Sequence, residues 1–229
     1  MANVSRRAFL QGAGAVAVAL TVPGCDRLTR QVEGRRASYS FFSADEAAFI
    51  EPAVARLIPA DELGPGALEA DVPVFIDRQL AGAWGAGAGL YRAGPWRAGQ
   101  PGQGYQLPFT PAELFRKALR AIHEELARTA PDSFGALPTA DQDAYLQALE
   151  KGGRDLGGVP SEEFFASLLE LTVEGFFSDP VYGGNRDMVG WKLVGFPGAY
   201  ANYYEFVDQH GVAFRRPPVS LGQGAGEVG

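Results

Sequence analysis

The stretch TPAELFRKALRAIHEELART, residues 110–129, limits the fold more than any other. Thr110 stands where a helix cap is needed, Pro111 takes the first helical position, and Glu113 closes a capping box. Leu114, Phe115, Ala118, Leu119, Ile122 and Leu126 then recur at helical spacing and make one apolar face. The same logic repeats along the chain. Ser43 and Glu46 open FSADEAAFIEPAVARLIPADE, with Ala47, Ile50, Val54, Leu57 and Ile58 on one face. Pro52 is expected to kink this helix or break it at Glu51, and Pro59 to end it. DVPVFIDRQLAG reads as a short helix with Val72, Phe75, Ile76 and Leu80 inward and Gly82 past its end. TADQDAYLQALEKGG starts with Thr139 and Gln142 and stops at Gly152. SEEFFASLLELTVEGFF, from Ser161, is apolar around most of its circumference and is expected to be the central helix. NYYEFVDQHG is a last helix-like piece, ended by Gly211. Alternating strand patterns are scarce. The expectation is a mainly α, single irregular helical domain with long Gly/Pro-rich loops.

The N-terminus is of a different kind. SRRAFLQGAGAVAVALTVPGC pairs Arg6 and Arg7 ahead of a short apolar run that ends in small residues. That is the layout of an export signal, too short and small-sided for a comfortable membrane span. Ser-Arg-Arg-Ala-Phe-Leu resembles the twin-arginine signal, whose machinery moves folded proteins. The expected organisation is therefore an export signal over 1–24, a polar tether over 25–40, a mainly α domain over 41–218 and a flexible tail over 219–229. Cys25 is the single cysteine, so one chain can form no disulfide and no cysteine-based metal or haem site. The VPGC box before it makes Cys25 a candidate for lipidation, with Gly24 suitably small and Pro23 awkward.

Composition excludes some partners. The formal net charge is −7, and removal of the signal would take away Arg6 and Arg7 and make it more negative. No basic stripe offsets this, so nucleic acid is not an expected partner. Residues 82–108 form a Gly/Pro-rich connection carrying Trp84, Tyr91, Trp96 and Tyr105, a length and composition often tied to function. Within it, GAWGAGAG follows a helix and leads into a loop, whereas a dinucleotide cradle must follow a strand and open a helix. His123 and His210 lie far apart, and His123 sits beside an apolar face where a structural histidine is expected. No nucleophile elbow, phosphate loop or kinase signature is present. The carboxylates of SADE and SEEFF are explained as helix starts. No catalytic, cofactor-binding or metal-binding residue is assigned to this chain.

SDPVYGGNRDMVGWKLVGFPGA, residues 178–199, is the densest segment. Asp179-Pro180 should stop the central helix, Gly183 and Gly184 permit positive φ or close backbone approach, and Asn185 can cap the next turn. Arg186 can fork onto a carboxylate or carbonyls, with Asp187 holding it. Met188, Trp191 and Phe196 are large apolar anchors. Two roles fit these residues: a buried hairpin-like plug closing its own core, or a partner interface.

At this segment the chain resembles the small (gamma) subunit of gluconate 2-dehydrogenase, the subunit 3 family. LIPADELGPGALEADVPVFIDRQLAG and GYQLPFTPAELFRKAL agree in the same order, and the similarity covers about Phe41 to Pro218. The resemblance implies a small subunit of a membrane-bound, flavin-dependent dehydrogenase that oxidises gluconate, glucose, fructose or related polyols. It implies FAD in a large catalytic subunit and haem c in a multi-haem cytochrome subunit that passes electrons to quinone. It further implies a small subunit that supports folding of the large one and carries it to the periplasm through the twin-arginine translocation machinery. Tyr182, Gly183, Gly184, Asn185, Arg186, Asp187, Trp191 and Lys192 match the family signature, and with Phe196 they form the expected partner interface. The rival expectations are a free-standing periplasmic carbohydrate-acting enzyme and a sugar-binding module using the Trp84–Tyr105 loop.

Overall fold

In the computed structural model the described residues are 39–97, 106–129, 133–200, 204–212 and 216–222. Among them the α-helices are α1 (Ala44–Leu57), α2 (Val72–Ala81), α3 (Pro111–Thr129), α4 (Thr139–Lys151), α5 (Ser161–Phe177) and α6 (Val189–Val194). Pairing of the β type among these residues is limited to isolated bridges, so the mainly α reading holds. Arg6, Arg7, Cys25 and Tyr105 lie outside the described residues.

Helix α5 organises the rest. It packs against α1, α2, α3, α4 and α6. Phe164, Leu168, Leu171 and Phe176 are buried there, and the Thr172 hydroxyl donates to the Leu168 carbonyl at 2.6 Å. A buried hydroxyl satisfied within its own helix adds polarity to the core without leaving a group unpaired. Around Phe164 the rings of Phe115, at 5.3 Å, and Phe49, at 6.3 Å, fill the space between α1, α3 and α5.

Both expected capping boxes form. Ser43 accepts from the Glu46 amide at 3.3 Å and Glu46 accepts from the Ser43 amide at 2.8 Å. The corresponding Thr110 and Glu113 bonds are 3.2 and 2.8 Å. Helix α1 is not broken at Glu51 but runs on through Pro52, where buried Ile50, Ala53 and Val54 hold it to the core on both sides of the proline. One local expectation fails. Helix α4 is not capped by Thr139. Extended Pro138 precedes it, and the buried Gln142 amide donates back to the Leu137 carbonyl at 2.9 Å and the Gly135 carbonyl at 3.3 Å. In the last helix-like piece only a single 3-10 turn, Tyr204–Phe206, forms among the described residues.

The domain also extends beyond its expected ends. Asp77, buried on α2, accepts from the amides of Ser40, Phe41 and Phe42 at 2.8, 2.8 and 2.9 Å. Ser40 is therefore docked rather than part of a free tether. At the other end, residues 219–222 are tied down, not tail. Ala199 donates to the Val219 carbonyl at 2.7 Å, and Val219 donates to the Pro197 carbonyl at 3.1 Å.

A buried carboxylate with three amide donors is costly to lose, since each stranded N–H keeps its desolvation penalty. Asp77→Ala is expected to lower the unfolding free energy by roughly 3 kcal/mol, measured by urea titration, and to expose residues 39–43 to protease. A loss under about 1 kcal/mol would mean that these amides find water instead.

Candidate functional site

The segment after α5 is seated by backbone contact. A Cβ on Gly184 would lie 2.1 Å from the Gly175 carbonyl oxygen, so two backbone segments meet here with no room for a side chain between them. Asp179 starts the turn by accepting from the Val181 amide at 3.0 Å. The same carboxylate accepts from the Ser220 hydroxyl at 2.6 Å and the Leu221 amide at 2.8 Å. Burial alone would raise its pKa, but these donors outweigh that and hold the carboxyl below its usual value. Asn185 is 0% exposed. Its amide nitrogen donates to the Ser178 carbonyl at 2.8 Å and its oxygen accepts from the Gly190 amide at 2.8 Å. One side chain thereby ties the end of α5 to the start of α6.

Helix α6 then lies on α5. A Cβ on Gly190 would fall 2.2 Å from the Phe176 carbonyl oxygen, and the Trp191 indole donates to the Phe177 carbonyl at 2.7 Å. The Trp191 ring meets Phe196 edge-on at 5.2 Å. The segment is thus a pair of 3-10 turns and a short helix instead of a hairpin-like plug.

The residues of the expected interface divide by direction. Gly184, Asn185 and Trp191, which is 6% exposed, face the interior. Tyr182, Asp187, Lys192 and Phe196 are exposed, and Gly183 and Arg186 are half-buried. Arg186 reaches a carboxylate, though chiefly that of Asp71 at the start of α2, at 3.3 Å; Asp187 is 3.9 Å away and 80% exposed. The Arg186 amide also donates to the Ala70 carbonyl at 3.1 Å. Sequence reading missed Asp71 and Arg78. Glycine inside the α5 pattern was the available signal for the close approach at Gly175.

Between α2 and this segment lies a cleft of about 420 Å³ whose walls include Asp71, Arg78, Gly183, Arg186 and Met188. The non-glycine residues with positive φ among the described residues are Asp71, Asn185, Asp187 and Met188. Three of them line this cleft and Asn185 lies in the same turn. Such conformations cost energy and persist where the surroundings impose them, which marks the cleft as built.

Elsewhere, α5 and α6 expose large apolar side chains. Leu169, Val173 and Phe177 follow at four-residue spacing on the outer side of α5 and are exposed. Leu193 and Val194, which is 60% exposed, lie on the same side of α6 as Gly190, the residue that meets Phe176 and Phe177. Phe196, whose ring meets Trp191, is exposed as well. Partial burial, and then the neighbouring charge of Glu170, raise the Glu174 carboxyl above its usual value on the edge of this ridge.

Other concavities are less organised. A groove of about 560 Å³ between α1 and α3 has Phe49, Leu119 and Leu126 among its lining residues. His123 stands exposed on its rim rather than serving as a core histidine. No group of three His, Cys, Asp or Glu able to hold a metal occurs among the described residues. No helix among them is long and apolar enough to cross a membrane.

Residues 44–198 match the family model for gluconate 2-dehydrogenase subunit 3. The chain belongs to this family. Comparison with curated proteins and with solved structures gave no match. As a member of the gluconate 2-dehydrogenase subunit 3 family, the chain is a subunit of a dehydrogenase complex that has other subunits. The matched segment runs from the first residue of α1 to Gly198, and so contains α5, α6 and every lining residue of the cleft except Ser220.

Gly184→Ala is expected to cost about 3 kcal/mol, because the obstacle is backbone and cannot turn aside. Gly195→Ala meets no atom within 4 Å and carries only a positive φ of 70°, so its cost should stay near 1 kcal/mol. Thermal melting of both variants checks this; equal losses would show that Gly184 tolerates a side chain.

Proposed function

We propose that this chain is the non-catalytic small subunit of a membrane-associated, FAD-dependent dehydrogenase of the gluconate type. In this reading it supports the folding and export of the flavoprotein catalytic subunit. The chemistry then resides elsewhere, with FAD in the large subunit and haem c in a multi-haem cytochrome subunit. The observation that carries the reading is the apolar ridge of Leu169, Val173 and Phe177 beside Leu193, Val194 and Phe196, in a family defined as a numbered subunit. A strip of large exposed apolar side chains is what a subunit contact uses, and water is a poor neighbour for it. The occupant is the large subunit. The outward signature residues Tyr182, Asp187 and Lys192 would form the polar and aromatic margin of the contact.

The paired Arg6 and Arg7 support the export role, since the twin-arginine machinery carries folded cargo and a bound partner can travel with it. This role puts the complex in the periplasm, at the cytoplasmic membrane. Lipidation of Cys25 would add one weak anchor. The sugar-binding alternative rests on a single observation: Tyr91 is 83% exposed and shares a cleft of about 400 Å³ with Trp96.

Leu169→Asp and Val194→Asp, introduced together, put charges on the ridge without touching the core. They should weaken binding to the purified flavoprotein at least 100-fold, or about 2.7 kcal/mol, with melting nearly unchanged. Arg6 and Arg7 changed together to Lys should leave the flavoprotein in the cytoplasm. Undiminished binding by the ridge variant would reject the contact. Binding of gluconate or glucose to the isolated chain, lost on Trp96→Ala, would favour the sugar-binding module.

A further inference from the structure

We propose that residues 219–221 are a clasp on the segment that follows α5, and that clasp, turn and α6 open together as one local unit while α1–α5 stay folded. Such a device needs only this chain and does not depend on the subunit-contact reading. The strap lies outside the matched segment, 44–198, yet it closes on that segment at two places. At the first, the buried Asp179 carboxylate accepts from the Ser220 hydroxyl at 2.6 Å and the Leu221 amide at 2.8 Å. Its own turn supplies the Val181 amide, at 3.0 Å. At the second, Val219 bonds to both neighbours of Gly198: Ala199 donates to its carbonyl at 2.7 Å, and its amide donates to the Pro197 carbonyl at 3.1 Å. Gly198 is thereby held between the strap and Trp191. A Cβ there would lie 2.2 Å from the Val219 carbonyl oxygen and 2.8 Å from the Trp191 Cζ3, and its φ is 80°. Only glycine lets these three layers close.

The clasped unit is not secured as the helices are. Trp191 is buried, yet it stands outside the apolar core that α1–α5 share, and Val189 is the α6 side chain that packs against that core. Leu193 and Val194 are exposed and add little burial. What seats α6 is therefore largely polar: the two Asn185 bonds, the indole bond to Phe177 and, through Asp179 and Gly198, the strap. A unit that gives up few apolar contacts opens locally at a lower free energy than the whole domain. With the strap lifted, Asp179 keeps the Val181 amide and takes water for the rest, and the Trp191 ring loses its cover beside Gly198. The strap thus sets how firmly α6 is held against α5, from a position outside the family segment.

The test uses the full chain with Trp84→Phe and Trp96→Phe, both at exposed positions, which leaves Trp191 as its one tryptophan. In this parent, Ser220→Ala removes a strap donor and keeps the Val181 bond of the turn. Asp179→Asn keeps the shape of the side chain. Whichever way its amide turns, the N–H of Leu221 or of Val181 faces another donor. Both variants should raise acrylamide quenching of Trp191 about twofold and speed hydrogen exchange at residues 179–198 about tenfold. Residues 44–57 and 111–129 should exchange as in the parent. Asp143→Asn, which loosens the half-exposed pair between α1 and α4, should leave Trp191 shielded. Trp191 as shielded in both strap variants as in the parent would overturn the clasp. Exchange accelerated equally at residues 44–57 and 111–129 would mean that the strap only adds to global stability, and would overturn the local unit.

Discussion

The structure around the family segment depends on one backbone contact, that of Gly184 against the Gly175 carbonyl. Because neither residue carries a side chain, the turn after α5 can fold flat on the helix that precedes it. The Asn185 amide then bridges Ser178 and Gly190, and that bridge sets where α6 begins. With α6 placed, Gly190 meets Phe176 and the Trp191 indole reaches the Phe177 carbonyl. The ridge is a consequence of this sequence of contacts. Leu193 and Val194 adjoin the α5 strip because α6 is pinned there, and a loosened turn would scatter those apolar groups.

The interior and the surface use charge differently. Asp77 and Asp179 are buried carboxylates, each held by amide or hydroxyl donors, and each docks a chain end onto the helices. Such groups specify geometry because only one arrangement satisfies them. The Arg56–Asp143 pair, bidentate at 2.7 and 3.0 Å, joins α1 to α4 at a half-exposed site, where solvent leaves it a small contribution.

Much of the helical frame was legible in the sequence because caps and apolar spacing are local signals. Ser43 with Glu46, and Thr110 with Glu113, form the boxes their spacing predicts, and Asp179-Pro180 stops α5. The illegible parts depend on distant partners. Pro52 stays in α1 because the core holds both flanks, and Arg186 chooses Asp71 because α2 begins beside it. The ridge was hidden for a different reason. A helix apolar around its circumference reads as fully buried, and Leu169, Val173 and Phe177 give no sign in one dimension that they stay exposed. The signature segment likewise mixes inward residues such as Trp191 with outward ones such as Phe196, a division set by α6 and not by residue type.

The central claim is that α5 and α6 together present a surface that another subunit covers. Hydrogen exchange of the full chain, alone and in complex with the flavoprotein subunit proposed as its partner, tests it most directly. The account predicts new protection at residues 169–177 and 189–196, with residues 84–97 and the groove between α1 and α3 unchanged. Protection confined to residues 84–97 or to that groove, with α5 and α6 exchanging as in the free chain, would contradict it.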